Sequence, residues 1–303
     1  MSLNESPEIF SSKRIGFGAA SLALVTSFLW GGNQVFIKIG LQGMPPQAMA
    51  ALRFSIGLIV VVVAAFVAKE SVRVYPGEWR RLFGLAILFL TQISLLNQGV
   101  FYTTASRASV TIAAHPFFVA LFCHFFVPGD RLSLQKVVGS LLAFIGIVII
   151  FFDSLSLENT NYLLGDIMIL VSAILLGLRQ TVMKRMVHGF HPYKVLFWQS
   201  LLSLPIFIAL SAYFEADAVY KFNSAVIVAV LYQGIVVAGL CFITWVFLMR
   251  SHSASQLGVF AFTTPIAGVL LSSLLVGDEL QIVLLVSMAL VAAGIVVVAR
   301  AGH

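Results

Sequence analysis

The sequence predicts an all-α polytopic membrane protein with ten transmembrane helices built as two inverted five-helix repeats. Three observations carry this. Of 303 residues 60% are hydrophobic and only 10% charged, against about 25% charged in soluble domains, and the mean hydropathy is +1.03. The apolar runs are continuous over roughly 20 residues, enough to cross a bilayer as a helix, and do not alternate as barrel strands would. The third observation is a duplication. Gly31, Gln34, Lys38, Gly43 and Pro46 recur, at the same mutual spacing, as Gly177, Gln180, Lys184, Gly189 and Pro192, so the chain reads as two copies of one unit.

The expected spans, in order, are Gly16–Leu41, Gln47–Ala68, Leu82–Tyr102, Ala108–Val127 and Leu134–Phe152, then Leu164–Val187, Tyr193–Phe214, Ser224–Leu248, Ser255–Val276 and Leu280–Ala299. The first unit is expected to occupy residues 1–152 and the second 153–303. Connections are short, and the two longest, Glu70–Arg81 and Asp153–Leu163, hold Pro, Gly and charge. The first apolar run follows Lys13-Arg14 but is long and ends in polar Asn33-Gln34, without a small-residue cleavage pattern, so it reads as an uncleaved span. Cys123 and Cys241 fall inside spans 4 and 8, which implies no disulfide framework.

Charge sets the expected orientation. The face shared by the N-terminus, the even-numbered connections and the C-terminus collects thirteen of the 18 Lys and Arg; the other face has Lys38, Arg107 and Lys221, and Arg53 and Arg179 fall within spans. The positive-inside rule then puts both termini in the cytoplasm, in a cytoplasmic (inner) membrane. It accounts for the net charge of +6 without a nucleic-acid partner. Each unit holds an odd number of helices, so span 6 enters from the side opposite span 1. The later halves agree: Pro116 echoes Pro265, and Gly129-Asp130 with Gly146 echoes Gly277-Asp278 with Gly294. Five-plus-five inverted repeats are the architecture of alternating-access carriers, whose halves exchange conformations around a central site.

Trp30-Gly31 with Lys38, Pro46 and Arg53-Phe54, then Gly129-Asp130-Arg131-Leu132 leading to Gly146, resembles the EamA repeat of the drug/metabolite transporter superfamily. The resemblance covers both halves; the second copy departs from it with Leu176 for the Trp and Gln199 for the Arg. It implies ten helices and a small-molecule carrier. Within the superfamily the chain is most similar to the YddG-type exporters of aromatic amino acids.

A polar group within a span is costly unless it meets a cavity or a partner. Span 1 places Ser27, Trp30, Gln34 and Lys38 on one face with Asn33 beside them. Span 3 contributes Asn97 and Tyr102, span 4 His115, span 6 Arg179 and Gln180, span 7 Trp198 and Gln199, and span 8 Tyr232. The expected substrate site is Trp30, Asn33, Gln34, Asn97, Tyr102, His115, Arg179, Gln180, Trp198, Gln199 and Tyr232. Each has a plainer reading: Gln34 and Gln180 as interhelical ties, the aromatics as packing or interface belt, His115 as a bonder at a kink. Arg179 needs either an anion or a cluster of carbonyls. Arg53 is expected to make a structural or gate contact, and Trp245 to belong to the belt. Pro116 and Pro265, within spans at matched places, are either gating bends or static ones. Gly139-x-x-x-Ala143 packs either the two halves or a dimer.

Other function classes lack their signatures. The sequence has no G-x-S-x-G, no H-E-x-x-H and no P-loop, nor a filter or charged ring. No enzyme activity, cofactor or metal is expected; the partners are a small-molecule substrate and the lipid bilayer, with the oligomeric state left open. The reading is a carrier exporting aromatic or other apolar amino acids and related metabolites, most simply by facilitated diffusion. A drug, nucleotide-sugar or lipid-linked metabolite carrier of the same architecture is the alternative.

Overall fold

A computed structural model describes residues 15–127, 133–156, 161–187, 189–252, 257 and 259–300. The Gly129-Asp130-Arg131-Leu132 motif lies outside the described residues. Among the described residues ten helices follow one another: α1 Phe17–Gly40, α2 Pro46–Val67, α3 Trp79–Tyr102, α4 Ala105–Phe126, α5 Leu134–Ser156, α6 Asn161–Met186, α7 Pro192–Phe214, α8 Ser224–Ser251, α9 Thr263–Leu275 and α10 Ile282–Arg300. Seven are long and apolar enough to cross a membrane; Val137–Ile150, Thr263–Leu275 and Ile282–Val297 are shorter apolar stretches. Every expected span is met by a helix. The outer surface is studded with exposed apolar side chains such as Ile59, Val63, Phe66, Leu141 and Phe144. That inverts the soluble pattern and suits a lipid-facing wall.

The packing is doubled. α1 packs on α8 and α9, and α6 packs on α3 and α4; α2 meets α8 as α7 meets α3; α5 lies along α10 and α4 along α9. Advancing five helices turns each of these pairs into another of the set or, for α4–α9 and α5–α10, into itself, as a two-fold pseudo-symmetry requires. Gly31 and Gly177 show what the duplicated residues do. A Cβ on Gly31 would sit 2.5 Å from Ala267 Cβ and 2.8 Å from the Thr264 carbonyl on α9, and one on Gly177 would sit 2.5 Å from Phe118 Cβ on α4. Both contacts are tighter than a side chain tolerates, so the two first helices close onto their partners only through glycine. In α5, Gly139 and Ala143 face Gly294 of α10, which assigns this small-residue motif to packing between the halves.

Three helices are interrupted, where continuous spans were expected. α4 breaks at Ala113–Ala114 and restarts at His115, with Pro116 in the first turn of the new segment. In an unbroken helix the Pro116 ring would collide with the Ile112 carbonyl. At a restart its missing N–H costs nothing, and His115 Nδ1 meets the Ile112 carbonyl instead, at 3.1 Å. α9 begins at Thr263 behind a single 3₁₀ turn, Val259–Phe262, which puts Pro265 in its first turn too. Both prolines therefore start helices, correcting the expectation of kinks inside spans. α8 carries a π-helical stretch, Tyr232–Cys241, a geometry often associated with functional sites.

Polar contacts tie the helix ends. On the predicted outer face Lys38 Nζ donates to the carbonyls of Val100, Phe101 and Thr103 at 3.0, 3.1 and 2.6 Å, capping α3. Arg107 pairs with fully buried Asp166 at 2.8 Å, and Asp278 accepts from Ser106 and Ser272. On the opposite face Lys194 pairs with Glu78 at 3.0 Å.

Candidate functional site

At the centre α1, α2, α3, α4, α6, α8, α9 and the turn leading into α9 line a cavity with about 70 Å³ of space open to water. A water needs roughly 10–15 Å³ of such space, so the cavity in this closed arrangement holds a few waters, and a larger ligand fits only as the surrounding helices part. Its walls come from both halves. Repeat-equivalent positions face it together: Trp30 with Leu176, Asn33 with Arg179, Gln34 with Gln180. The pseudo-two-fold relation therefore runs through the cavity, and two of these three pairs differ between the copies.

Two guanidinium groups define the electrostatics. Arg53 is 2% and Arg179 5% exposed. Arg53 Nη1 donates to Gln233 Oε1 at 2.7 Å, and Gln233 Nε2 donates onward to the Asn33 carbonyl at 2.6 Å, joining α2, α8 and α1. Arg179 has no hydrogen-bond partner at Nε or Nη1. Its Cζ instead lies 5.0 Å from the Phe89 ring centre and 5.3 Å from that of Phe242, while Arg53 Cζ lies 4.6 Å from Phe54. Stacking of this kind is worth about 2 kcal/mol when desolvated. Set against about 2.5–3.5 kcal/mol for a charge in mid-membrane, it offsets most of the burial while leaving the N–H edge free. The rings form a continuous wall, with Trp30 edge-on to Trp245 at 4.9 Å and to Phe242 at 6.2 Å, and Phe54 edge-on to Phe89 at 4.7 Å.

The remaining polar lining is neutral. Ser27 Oγ, Asn33 Oδ1, Gln34 Oε1 and Gln92 Oε1 are buried without a protein partner. The Ile112 carbonyl can only accept, so His115 carries its proton on Nδ1 in the neutral ring. Among the described residues no Asp or Glu lines the cavity, and no cluster of three or more His, Cys, Asp or Glu could hold a metal.

The structure brings together Trp30, Asn33, Gln34, His115, Arg179 and Gln180. It places the other five sequence candidates elsewhere. Asn97 Nδ2 donates to the Pro46 carbonyl at 2.9 Å and fastens α3 to the start of α2. Tyr102 ends α3, edge-on to Phe101. Trp198 donates to the Val72 carbonyl at 2.7 Å and packs on Trp79, holding the connection before α3. Gln199 is fully buried in α7, off the cavity. Tyr232 donates to the Leu29 carbonyl at 2.6 Å and stacks on Phe36, bracing α1 from behind.

The substrate site expected from the sequence leaves out Arg53, Gln233, Phe242 and Trp245, although Gln233 stands beside Tyr232 among the polar residues that span 8 offers to a cavity. Arg53 carried the signal that singled out Arg179, a charge inside a span. Gln233 takes the wall position and Tyr232 turns away because neighbouring residues of a helix point about 100° apart, so only one of the two can face the cavity. Trp245 is 6% exposed, too buried for an interface belt, because α8 runs on to Ser251.

The EamA-like transporter family matches residues 17–152 and again 163–300. An uncharacterized transporter of Bacillus subtilis, YoaV, is 20% identical over 283 residues, covering 93% of this chain and 95% of its own length. Proteins described as probable amino-acid metabolite efflux pumps are 26% identical in Escherichia coli, covering 86% of this chain and 87% of theirs, and 27% identical in Salmonella typhimurium, covering 94% of each. A solved crystal structure 20% identical in sequence superposes with a TM-score of 0.72, covering 92% of this chain and 96% of its own.

Proposed function

This chain belongs to the EamA-like transporter family, and we propose that it exports small amphiphilic amino-acid metabolites across the inner membrane by alternating access. The observation that carries this reading is Arg179, buried among rings with Nε and Nη1 unpartnered, in the wall of a cavity that both repeats line. A carboxylate suits an unpartnered guanidinium, which offers it two parallel N–H donors along one edge. The wall of Trp30, Trp245 and Phe242 suits an apolar or aromatic side chain. Efflux pumps of amino-acid metabolites among the relatives support the same class. Helix restarts at Pro116 and Pro265, one in each repeat, are the bending elements, and both termini lie in the cytoplasm. Flux is facilitated diffusion.

A cationic drug would meet two guanidiniums in this site, and a lipid-linked substrate would need a side opening between helices. Proteoliposomes holding the full chain test the reading against a panel of aromatic amino acids, their derivatives, nucleotide sugars and cationic drugs. Aromatic carboxylates and their derivatives should move down their gradient with a protonophore present, and Arg179→Ala should abolish that flux while the protein stays monodisperse. Transport confined to nucleotide sugars or cations would refute the proposal.

A further inference from the structure

Resting on that carrier reading, we infer that the cavity selects organic anions, carboxylates whose nitrogen carries no charge, and above all N-acylated amino acids, over amino-acid zwitterions.

The charge inventory points this way. Arg53 and Arg179 share one cavity, and among the described residues no carboxylate faces it. Of the carboxylates that the structure places, none lines the cavity, and four are held at the helix ends: Asp166 by Arg107 and Thr103, Asp278 by Ser106 and Ser272, Glu215 by the Gln47 and Ala48 amides, Glu78 by Lys194. The one cavity-facing partner of Arg53 is neutral, Gln233, and Arg179 has only the faces of Phe89 and Phe242. A bound carboxylate answers these two charges. A zwitterion would bring an ammonium into the same low-dielectric space beside two like charges, with no acid to hold it.

The neutral lining fits the other end of such a molecule. Ser27 Oγ, Asn33 Oδ1, Gln34 Oε1 and Gln92 Oε1 are buried acceptors without protein partners. An acylated nitrogen gives one neutral N–H to an acceptor and one carbonyl to an amide N–H, the exchange that side-chain amides make best. The apolar part then meets the Trp30, Trp245 and Phe242 wall.

The same charge state supplies the driving force. A cell interior is electrically negative, so a monoanion runs outward down the membrane potential with no proton relay. One elementary charge across 100 mV corresponds to about 2.3 kcal/mol, an accumulation ratio of about 50-fold. A net-neutral zwitterion gains nothing from that field.

The test uses the full chain in proteoliposomes at pH 7 with three probes of one skeleton: N-acetylphenylalanine, phenylalanine and phenethylamine. N-acetylphenylalanine should half-saturate counterflow at a concentration at least about tenfold below phenylalanine, and phenethylamine should compete least. A potassium-diffusion potential, interior positive, should concentrate N-acetylphenylalanine toward the 50-fold ratio, while phenylalanine uptake should ignore it. Arg53→Gln and Arg179→Gln should each erase the preference, and the Lys variants should keep part of it. The comparison of the three probes and the response to the potential need only wild-type protein if a Gln variant fails to fold. Phenylalanine binding as tightly as its acetyl derivative would overturn the anion assignment and leave the carrier reading standing. Acetylphenylalanine preferred by folded Arg53→Gln and Arg179→Gln proteins alike would overturn the two-arginine site. Flux of no amphiphile at all would overturn both this inference and the proposed function.

Discussion

Gln233 is the residue whose loss should cost this fold most for one side chain of its size. It is fully buried, accepts from Arg53 at 2.7 Å and donates to the Asn33 carbonyl at 2.6 Å. Gln233→Leu removes a hydrogen bond to a charged group, about 1.5–3 kcal/mol, and a neutral one, about 0.5–1.5 kcal/mol. Both partners stay behind in the interior, so little is recovered by matched removal, and a net loss of about 2–4 kcal/mol follows. For a chain of this length 1 kcal/mol moves the unfolding midpoint by about 2 °C, so the variant should unfold about 4–8 °C lower in detergent. Gln233→Glu separates stability from transport. The carboxylate gives Arg53 a charged partner at the cost of the bond to Asn33, so its midpoint should lie above that of the Leu variant. Flux should nonetheless fall at least about tenfold, because the new carboxylate occupies the position a substrate anion needs. Thermal unfolding followed by tryptophan fluorescence, paired with counterflow, checks both halves. A Leu variant within about 1 °C of wild type, or a Glu variant that transports normally, would refute the reasoning.

Three further outcomes are expected. Trp30→Ala should narrow the preference for phenyl over alkyl substrates by about 2- to 12-fold, the equivalent of about 0.5–1.5 kcal/mol for an aromatic pair, while Trp198→Ala, whose indole holds Val72, should leave the ratio unchanged; competition assays read both. Single cysteines at exposed Ser71 and Asn223 should label from opposite sides of sealed vesicles with little background, since Cys123 and Cys241 are buried; labelling of both from one side would sink the topology. The Tyr75 amide first, and then Lys194, hold the Glu78 carboxyl below its usual range. A lowered folded value stabilises above the unfolded one, so proteolysis of the connection before α3 should be constant from pH 7 to 5. Loosening should begin only below about 4.3, and Glu78→Gln should abolish that pH dependence.

The architecture was legible because bilayer physics leaves few options: continuous apolar runs of spanning length must be helices, and the spacing from Gly31 to Pro46 repeated from Gly177 to Pro192. The site was half legible. Positions in α1 and α6 could be read because both helices are regular through the cavity, so spacing predicted facing. α8 could not, since Tyr232 and Gln233 are neighbours and a helix lets only one of them face inward; Gln233 took the place expected for Tyr232. Asn97, Trp198 and Gln199 show the other limit. A polar residue inside a span signals that something must satisfy it, and for Asn97 and Trp198 that something is a neighbouring backbone carbonyl.

The repeat gives the site its shape and the departures from repeat give it polarity. Under the spacing that maps Gly31 to Gly177, Asn33 corresponds to Arg179 and Arg53 to Gln199, so each copy contributes one arginine where the other has an amide. Exchanging one pair, in Asn33→Arg with Arg179→Asn, keeps the number of cavity charges while moving one to the other half. The Gln233 bond to residue 33 survives, because it uses the backbone carbonyl. The guanidinium, however, leaves the faces of Phe89 and Phe242, so the double variant should be less stable by about 1–2 kcal/mol. If the summed field of the cavity selects the substrate, the double variant should still prefer a carboxylate anion to its zwitterion, and Arg179→Asn alone should not. Should the exchange abolish the preference in a folded protein, the placement of Arg179 between its two rings, and not the cavity charge, would be what recognises the anion.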